Sequence, residues 1–314
     1  MPQRTVTELS PSGLPGALVE GQSPRAGYLG PEGTFSEEAL LASALPGAVE
    51  PVPLASIEDA VAALRAGAIE WAIVPIENSL DGSITVTLDL LAEHAGELEI
   101  VGEALLAVRH SLIAAERIAL AEVEEVLTHP QVPGQCRRLL RGELARARVV
   151  SAASTAEAVR TVVGSPARGQ AAIGTALAAE IYGGTVLRED VQDRADNETR
   201  FAWLARAEQA AFQAPLRTTV DGPWKTSLVF WGAGTGSPGW LVRCLSEFAD
   251  REINLTKIES RPRRGRMGSY MFFADAEARG GEERLQQAFA GLRASCEELL
   301  VLGSYRAATA TLRP

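Results

Sequence analysis

Thr199 and Arg200 stand side by side where a polar stretch of the chain runs into the apolar segment FAWLA. A threonine hydroxyl can donate a hydrogen bond to a group that leaves a substrate, and a guanidinium can hold a carboxylate through two parallel hydrogen bonds. Both residues also have ordinary roles, because threonine favours β-strands and arginine is common in surface ion pairs. The pair is therefore a candidate reaction site that needs support from other segments.

Two further segments place hydroxyl and backbone N–H groups directly after predicted strands. The segment GPEGTFSEE opens a helix, so the free N–H groups near Thr34 and Ser36 can hold a carboxylate. The segment PIENS, with Glu77, follows the apolar run WAIV. Each also has a structural interpretation: Thr34 can cap its helix with Glu37 in the capping-box position, and PIENS can be loop and cap chemistry.

Residues 26–206 alternate short apolar runs with alanine-rich helical stretches, which is typical of an α/β domain with a largely parallel sheet. Two successive series of this kind predict two lobes with a cleft between them. Ligands of open α/β sheets bind beyond the carboxyl ends of the strands. The polar clusters lie at such ends, and they include His129, Gln131 and Gln135 as candidate substrate contacts.

The ends of the chain and one internal stretch depart from this pattern. Residues 207–224 are rich in Gln, Pro, Thr and Gly and predict a linker. Residues 225–306 then show the order strand, helix, strand, strand, helix, strand, which is typical of a ferredoxin-like βαββαβ domain. Residues 1–25 are rich in Pro, Gly and Ser and lack the apolar core of a signal peptide, so they predict a flexible tail on a cytoplasmic protein.

Composition disfavours several classes of function. The 314 residues are 46% hydrophobic, which suffices for two domains with cores of their own. The net charge of −10 and the pI of about 5.0 argue against nucleic acid or an anionic membrane surface as a partner. Three cysteines and three histidines are widely scattered, so the sequence indicates neither a disulfide framework nor a metal site.

Taken together and in order, these motifs resemble those of the prephenate dehydratase family. The resemblance covers about residues 26–306, and its TRF and ESRP elements are specific. It implies a two-lobed α/β dehydratase module over 26–206, similar to a type II periplasmic binding protein, and an ACT regulatory domain over 225–306. The segments that carry it are GYLGPEGTFSEEAL, WAIVPIENSLDGSITVTLDLL, THPQVPGQC, AAIGTALAAEIYG, DNETRFAWLA and INLTKIESRPRR.

The resemblance implies that carbon dioxide and hydroxide leave prephenate to give phenylpyruvate, with no metal or organic cofactor. Thr199 is then expected to donate to the departing hydroxide, and Glu77 to act either as a protonated acid or as a pin at the hinge between the lobes. Arg200 is expected to anchor the pyruvyl carboxylate, and Phe201 to give the ring carboxylate an apolar wall. The expected substrate-binding residues are Thr34, Ser36, Asn78, Ser79, Thr175, Arg200 and Phe201.

For the C-terminal domain the resemblance implies phenylalanine as an allosteric effector, bound between paired ACT units of a homodimer or homotetramer. Trp240 stands where the family usually has alanine, which adds bulk beside the expected pocket and leaves the identity of the amino acid open. The expected effector-binding residues are Gly239, Leu241, Val242, Asn254, Thr256, Glu259, Ser260, Arg261 and Pro262.

Two alternatives remain open at this point. Arogenate dehydratase runs the same elimination on a substrate with an amino group in place of the keto oxygen, and its motifs overlap with these. A two-lobed amino-acid sensor would bind without turnover, but it has no need for a threonine beside a leaving group. The presence of TRF with the GTFS and ENS clusters favours the enzyme.

Overall fold

A computed structural model of the chain describes residues 23–210, 214–217, 222–232, 237–263 and 268–313. The predicted N-terminal tail therefore lies almost wholly outside the described residues, as does part of the predicted linker. No helix within these ranges is long and apolar enough to cross a membrane.

The described residues form two α/β lobes and a smaller C-terminal α/β unit. The strands are β1 (Arg25–Leu29), β2 (Glu50–Leu54), β3 (Trp71–Asn78), β4 (Gly82–Ser83), β5 (Leu98–Ala107), β6 (Ser111–Ala114), β7 (Glu125–Thr128), β8 (Arg148–Ser151), β9 (Gln170–Gly174), β10 (Thr185–Arg188), β11 (Glu198–Arg206), β12 (Trp224–Trp231), β13 (Leu255–Pro262), β14 (Tyr270–Ala276), β15 (Glu298–Arg306) and β16 (Thr311–Leu312). The α-helices are α1 (Phe35–Ser43), α2 (Ile57–Arg65), α3 (Thr85–Glu93), α4 (Arg137–Arg141), α5 (Thr155–Gly164), α6 (Ala176–Tyr182), α7 (Trp240–Ala249) and α8 (Glu283–Ser295).

Lobe 1 is built on a sheet with the strand order β16–β5–β11–β3–β1–β2, and β4 adds beside β3. β1 is parallel to β2 and β3, whereas β11 lies antiparallel between β3 and β5. Residues on one face of β11 pack with α1, and those on the other face pack with α2 and α3. Because both faces are covered, β11 reads as the continuous apolar run FAWLA rather than as an alternating strand.

Lobe 2 is built on a sheet with the order β10–β6–β9–β7–β8, in which β6 runs antiparallel to its neighbours. By strand direction both sheets are largely parallel, as expected, but each contains a longer strand that runs against the others, β11 in lobe 1 and β6 in lobe 2. The chain crosses between the lobes twice, after β5 and after β10, and β6 and β11 are the strands that it enters after these crossovers. The crossovers are joined by hydrogen bonds from Val108 N to Asn197 O (2.8 Å) and from Val191 N to His110 O (2.9 Å).

The C-terminal unit has the sheet order β13–β14–β12–β15, with α7 and α8 on one face. The opposite face is apolar as well, and Val229, Phe273 and Leu302 share a buried cluster with lobe 1. The predicted fold class, a two-lobed α/β module followed by a βαββαβ unit, is confirmed. β16 was not predicted: after β15 the chain returns to lobe 1 and pairs parallel with β5. A strand of two residues is too short to leave a periodic signal.

Candidate active site

A cavity of about 290 Å³ lies between the two lobes, at the small end of the range for ligand sites. Its wall combines the carboxyl ends of β1, β3, β5 and β7 with the crossovers and the N-termini of α1 and α5. A larger depression of about 760 Å³ on lobe 2 is lined by none of the predicted site residues. The predicted residues that line the cavity between the lobes are Thr34, Ser36, Asn78, Thr199 and Phe201.

Two helix N-termini meet at this cavity, one from each lobe. Thr34 caps α1 by accepting from Glu37 N, and Ser154 caps α5 by accepting from Glu157 N. Each helix directs its positive end and its unpaired first-turn N–H groups towards the ligand space. The sequence predicts a helix over 155–163 but did not identify its N-terminus as part of the cavity, although Ser154–Thr155–Ala156–Glu157 repeats the S/T-x-x-E pattern that marks α1.

The cavity contains few charged side chains. Among the described residues that line it, none is lysine or arginine, and Asp81 is the one carboxylate. His110 is buried there, and burial lowers the pKa of its imidazole, which stays neutral at pH 7. To a small anion this cavity therefore offers helix N-termini and neutral hydrogen-bond donors rather than cationic side chains.

Thr199 lies on β11 directly opposite Asn78 on β3. The Asn78 amide is oriented by the backbone, because its Oδ1 accepts from Leu80 N (2.9 Å) and Asp81 N (3.0 Å). Its Nδ2 therefore points at Thr199 and donates to Oγ1 at 2.9 Å. With Oγ1 already accepting from this amide, the hydroxyl proton of Thr199 is available to donate to a ligand.

Hydrogen bonds continue from Asn78 across the hinge to lobe 2. Asn78 Nδ2 donates to Asn197 Oδ1 (2.9 Å), and Asn197 Nδ2 donates to Gln135 Oε1 (3.2 Å). Gln135 Oε1 also lies 3.1 Å from His110 Nε2, while Gln135 Nε2 donates to Asp81 Oδ2 at 3.3 Å. Gln135 alone of these residues belongs to lobe 2. The hydrogen bonds from Gln135 through Asn197 and Asn78 to Thr199 therefore make the geometry at Thr199 depend on the relative position of the lobes. His110 and Asn197 lie on the crossovers, where no periodic pattern identifies them.

Thr175 and Ser79 do not line the cavity, which corrects their expected role in substrate binding. Thr175 is fully buried and caps α6, and its Oγ1 donates to Gly33 O (2.6 Å) across the interface between the lobes. Gly33 has φ of 81°, and a Cβ there would lie 2.8 Å from Ala178 Cα, so this contact requires glycine. Ser79 is exposed, and its Oγ accepts from Glu198 N (3.0 Å), which fixes the second crossover.

Arg200 faces away from the cavity, which corrects its predicted role as a carboxylate anchor. Side chains alternate along a strand, so Thr199 and Phe201 share one face of β11 and Arg200 points to the other. There Arg200 Nε donates to Glu103 Oε2 (2.7 Å), and Nη1 donates to Asp275 Oδ2 (2.6 Å) of the C-terminal unit.

Glu77 also lies on the face remote from the cavity, one residue before Asn78. Its Oε1 lies 3.0 Å from Lys257 Nζ of β13, and its Oε2 lies 3.6 Å from Arg200 Nη1. Neither expected role fits this position: Glu77 is not an acid at the ligand, and it pins lobe 1 to the C-terminal unit rather than to lobe 2.

The same alternation divides the predicted effector residues on β13. Glu259 and Arg261 face lobe 1, where Glu259 accepts from Ser83 Oγ (3.0 Å) and Arg261 pairs with Asp89 (2.8 Å). Adjacent strand residues point to opposite faces, so the side chain of Ser260 lies on the face of β13 opposite to those of Glu259 and Arg261. The exposed residues of β13 are Thr256, Ile258, Ser260 and Pro262.

The remaining effector candidates lie near the start of α7 and the start of β13. Gly239 is the N-cap of α7 with φ of 75°, and Val242 is 66% exposed. Leu241 packs against the C-terminal core, and Asn254 Nδ2 donates to Glu277 Oε2 (2.9 Å). Residues 233–236, which precede this segment, lie outside the described residues.

The fold and the cavity define a two-lobed α/β protein with a polar cavity between its lobes. The family model described as prephenate dehydratase matches residues 26–209. The prephenate dehydratase of Mycobacterium sp. (strain JLS) is 39% identical over 93% of this chain and 91% of its own length. The chain belongs to the prephenate dehydratase family.

Other relatives extend this comparison to a second substrate and to solved structures. Arogenate dehydratase 2 of Petunia hybrida is 37% identical over 95% of this chain and 75% of its own length. The structure of prephenate dehydratase in complex with L-Phe from Arthrobacter aurescens matches with a TM-score of 0.79 and 35% identity, covering 90% of each chain. A structure of GqqA, described as a novel type of quorum quenching acylase, has a TM-score of 0.77 and 29% identity and covers 90% of this chain and 98% of its own.

The contact between the lobes contains one carboxyl group with a large pKa shift. Glu38 on α1 is buried and accepts a hydrogen bond from the backbone of Leu177 in α6. Burial raises the pKa of Glu38 to about 8, and the charges of Glu37 and Glu180 act in the same direction. Since the folded state holds this proton more tightly than the unfolded chain does, the contribution of Glu38 to stability is full below about pH 4 and is lost as the pH rises towards 8.

We therefore expect Glu38→Gln to stabilise the protein increasingly as the pH rises. The amide mimics the protonated acid, so the gain is near zero at pH 4 and reaches the order of a few kcal/mol at pH 8. Thermal unfolding of the variant and the parent across this range measures the difference, with the exposed Glu116→Gln as a matched control. A difference that stays constant with pH would contradict the assignment.

Proposed function

We propose that this chain is a prephenate dehydratase that converts prephenate into phenylpyruvate, carbon dioxide and water. The observation that carries the proposal is the Thr199 hydroxyl, which lines the cavity and whose oxygen already accepts from Asn78. In the reaction the bond from the ring to its carboxylate breaks, its electron pair enters the ring, and the ring C–O bond breaks on the opposite side. The departing hydroxide takes up a proton, and the ring becomes aromatic.

The charge distribution of the cavity suits this substrate, which is a dianion. The pyruvyl carboxylate keeps its charge throughout and is assigned to a helix N-terminus at the cavity. The ring carboxylate becomes neutral carbon dioxide, so a strong ion pair would stabilise the ground state and slow the reaction. The lining has no lysine or arginine among the described residues, and the buried Phe201 offers an apolar wall for the carboxylate that leaves.

Aromatisation supplies the driving force, so the protein has two tasks, which are positioning and stabilisation of the leaving hydroxide. Thr199 serves the second task as a hydrogen-bond donor. The amide of Asn78 serves the first, because it occupies the acceptor side of the Thr199 hydroxyl and leaves the donor side for the substrate. Asn78 is therefore proposed as a positioning residue, although the sequence suggested a direct substrate contact.

Arogenate dehydratase is the second candidate function, and the 37% identity to the Petunia hybrida protein of that name supports it. The elimination from the ring is the same, and the substrates differ only in the side chain. Steady-state kinetics with both compounds separates the two. A sensor that binds without turnover would convert neither compound.

The acylase activity named for GqqA has no comparable support in this chain. Amide hydrolysis by a hydroxyl nucleophile needs an adjacent base. Among the described residues that line the cavity, no hydrogen bond joins a serine or threonine hydroxyl to a histidine.

The cytoplasmic location expected from the N-terminal composition stays a prediction.

We further propose that phenylalanine binds at the C-terminal unit and regulates the enzyme, and the structure of the Arthrobacter aurescens enzyme in complex with L-Phe supports this. The edge strand β13 and the start of α7 expose apolar side chains, with Ile258 48% and Val242 66% exposed, and these fit an interface in a homodimer or homotetramer.

Trp240 is buried, packs on Phe230 and Phe272, and donates from Nε1 to Ser295 O (2.7 Å). Its bulk therefore lies in the core of the C-terminal unit.

Replacing Thr199 by valine tests the assigned donor. The variant keeps the shape of the side chain and removes the hydroxyl, so we expect kcat to fall by about 100- to 1,000-fold. The ultraviolet absorbance of phenylpyruvate in alkali measures turnover of prephenate. Thr199→Ser retains the donor and should recover most of the rate. Near-normal turnover by the valine variant would exclude the assigned role.

Asn78→Asp tests the direction of the hydrogen bond. A carboxylate accepts but does not donate, so the Thr199 hydroxyl would turn to it and stop donating to the leaving group. We expect a larger fall in kcat than for Asn78→Ala, which leaves the hydroxyl free though less well oriented. Equal values of kcat for the two variants would show that the direction of this bond is unimportant.

Calorimetric titration with phenylalanine, tyrosine and tryptophan tests the effector proposal. We expect phenylalanine to bind most tightly, and Trp240→Phe to keep this order because the indole ring lies in the core. An altered preference in that variant would show that Trp240 contributes to the effector pocket. Absence of binding heat and of inhibition with all three amino acids would remove the regulatory proposal.

A further inference from the structure

A cluster of buried and half-buried charges lies behind the Thr199–Asn78 pair, between lobe 1 and the C-terminal unit. It contains three cations and three carboxylates from six strands. We call it the Arg200 cluster, and its charged members are Glu77, Glu103, Arg200, Lys225, Lys257 and Asp275.

Arg200 is the centre of this cluster and contacts both parts of the molecule. Nε is bonded to Glu103 of lobe 1 (2.7 Å), Nη1 to Asp275 (2.6 Å) and Nη2 to the hydroxyl oxygen of Tyr305 (2.8 Å), the last two in the C-terminal unit. Tyr305 is in turn 2.7 Å from Ser227 Oγ, which donates to Asp275 Oδ1 at 2.5 Å. The planar guanidinium is thereby held in three directions, which a single ammonium group cannot reproduce.

The cluster is buried deeply enough for these bonds to constrain the backbone. Arg200 is 8% exposed, Glu103 5% and Asp275 4%. Removing one partner from a buried set of charges leaves the others uncompensated, which costs far more than the loss of a surface pair. The position of the guanidinium is therefore tightly defined, and with it the position of residue 200 on β11.

The pairing of β11 with β3 is irregular at this point. Thr199 pairs with Asn78 and Arg200 with Glu77, but Phe201 pairs with Pro75, so Ile76 is an extra residue on β3, whereas β11 pairs with β5 without a shift from Glu198 to Trp203. The bulge changes the local twist between β11 and β3, so pairing with β3 alone defines the direction of Thr199 relative to Asn78 less well. Thr199 and Phe201, on the two sides of Arg200, are the β11 residues that line the cavity.

We propose that Arg200 is a positioning residue for the reaction and that Asp275 and Tyr305 of the C-terminal unit act through it. The fork of bonds sets the twist of β11 at the bulge and so directs the Thr199 hydroxyl towards the leaving group. This inference rests on the proposed dehydratase function. It assigns the C-terminal unit a part in building the site, in addition to its proposed part in effector binding.

Arg200→Lys tests the inference, because it keeps the charge and loses the three-way fork. We expect kcat for prephenate to fall by about 10- to 100-fold, as small misplacements of catalytic groups do, with KM within about twofold of the parent. A substrate anchor would show the opposite pattern, a raised KM with kcat preserved. Asp89→Asn is the matched control: it removes the Arg261–Asp89 pair at the same interface, neither residue lies on β3 or β11, and we expect both constants to stay unchanged.

A second substitution covers the case in which Arg200→Lys does not fold. Tyr305→Phe removes one bond to Nη2 and keeps the ring, so we expect a smaller decrease in kcat in the same direction. In a Thr199→Val background Tyr305→Phe should have no further effect on kcat, since the group that it positions is absent. General loss of stability would instead add to the effect of Thr199→Val.

Three outcomes would overturn the inference: an unchanged kcat in both Arg200→Lys and Tyr305→Phe, an effect confined to KM, or an equal loss of kcat in Asp89→Asn. Failure of the proposed function gives a different result. In that case the parent protein itself converts neither prephenate nor arogenate.

Discussion

The hydrogen bond from Asn78 Nδ2 to Thr199 Oγ1 is the interaction on which the proposed chemistry depends. It joins directly opposed residues of two antiparallel strands, and the backbone N–H groups of residues 80 and 81 fix the direction of the amide. A hydroxyl can accept and donate at once, so an acceptor side occupied by protein leaves a donor for the ligand. In the proposed reaction this arrangement supplies a neutral donor at the place where negative charge develops.

The proposed substrate is an anion and the protein is acidic, and the two lobes offer backbone dipoles for this ligand. The chain carries a net charge of −10, yet the N-termini of α1 and α5 present their positive ends to the cavity from opposite sides. Such partial charges stabilise a carboxylate without holding it as tightly as an arginine would. This suits a substrate that keeps one carboxylate and loses the other. Because the helices belong to different lobes, the complete site exists only where the lobes meet.

The boundary between the dehydratase lobes and the C-terminal unit is also part of this arrangement. The sheet of the C-terminal unit packs its second apolar face on lobe 1, β16 adds to the lobe 1 sheet, and the Arg200 cluster bridges the two behind the site. A βαββαβ unit that only carried an effector pocket would need none of these contacts. Because of these contacts, a rearrangement of the C-terminal unit would directly displace β11, which carries Thr199.

Local pattern sufficed for the α/β class, the βαββαβ order of the C-terminal unit, the cap of α1, the cleft position of Thr34 and Thr199, and the family, because apolar periodicity and short motifs are properties of neighbouring residues. Local pattern could not determine which face of the sheet each of two adjacent strand residues points to. Arg200 and Glu77 stand beside cavity residues in sequence, and only the packing of a second sheet on lobe 1 shows that this alternate face is buried. His110 and Asn197 lie on different crossovers, and Gln135 of lobe 2 joins them through its side chain. Such contacts depend on how the lobes close on each other, and that geometry leaves no periodic signal in the sequence.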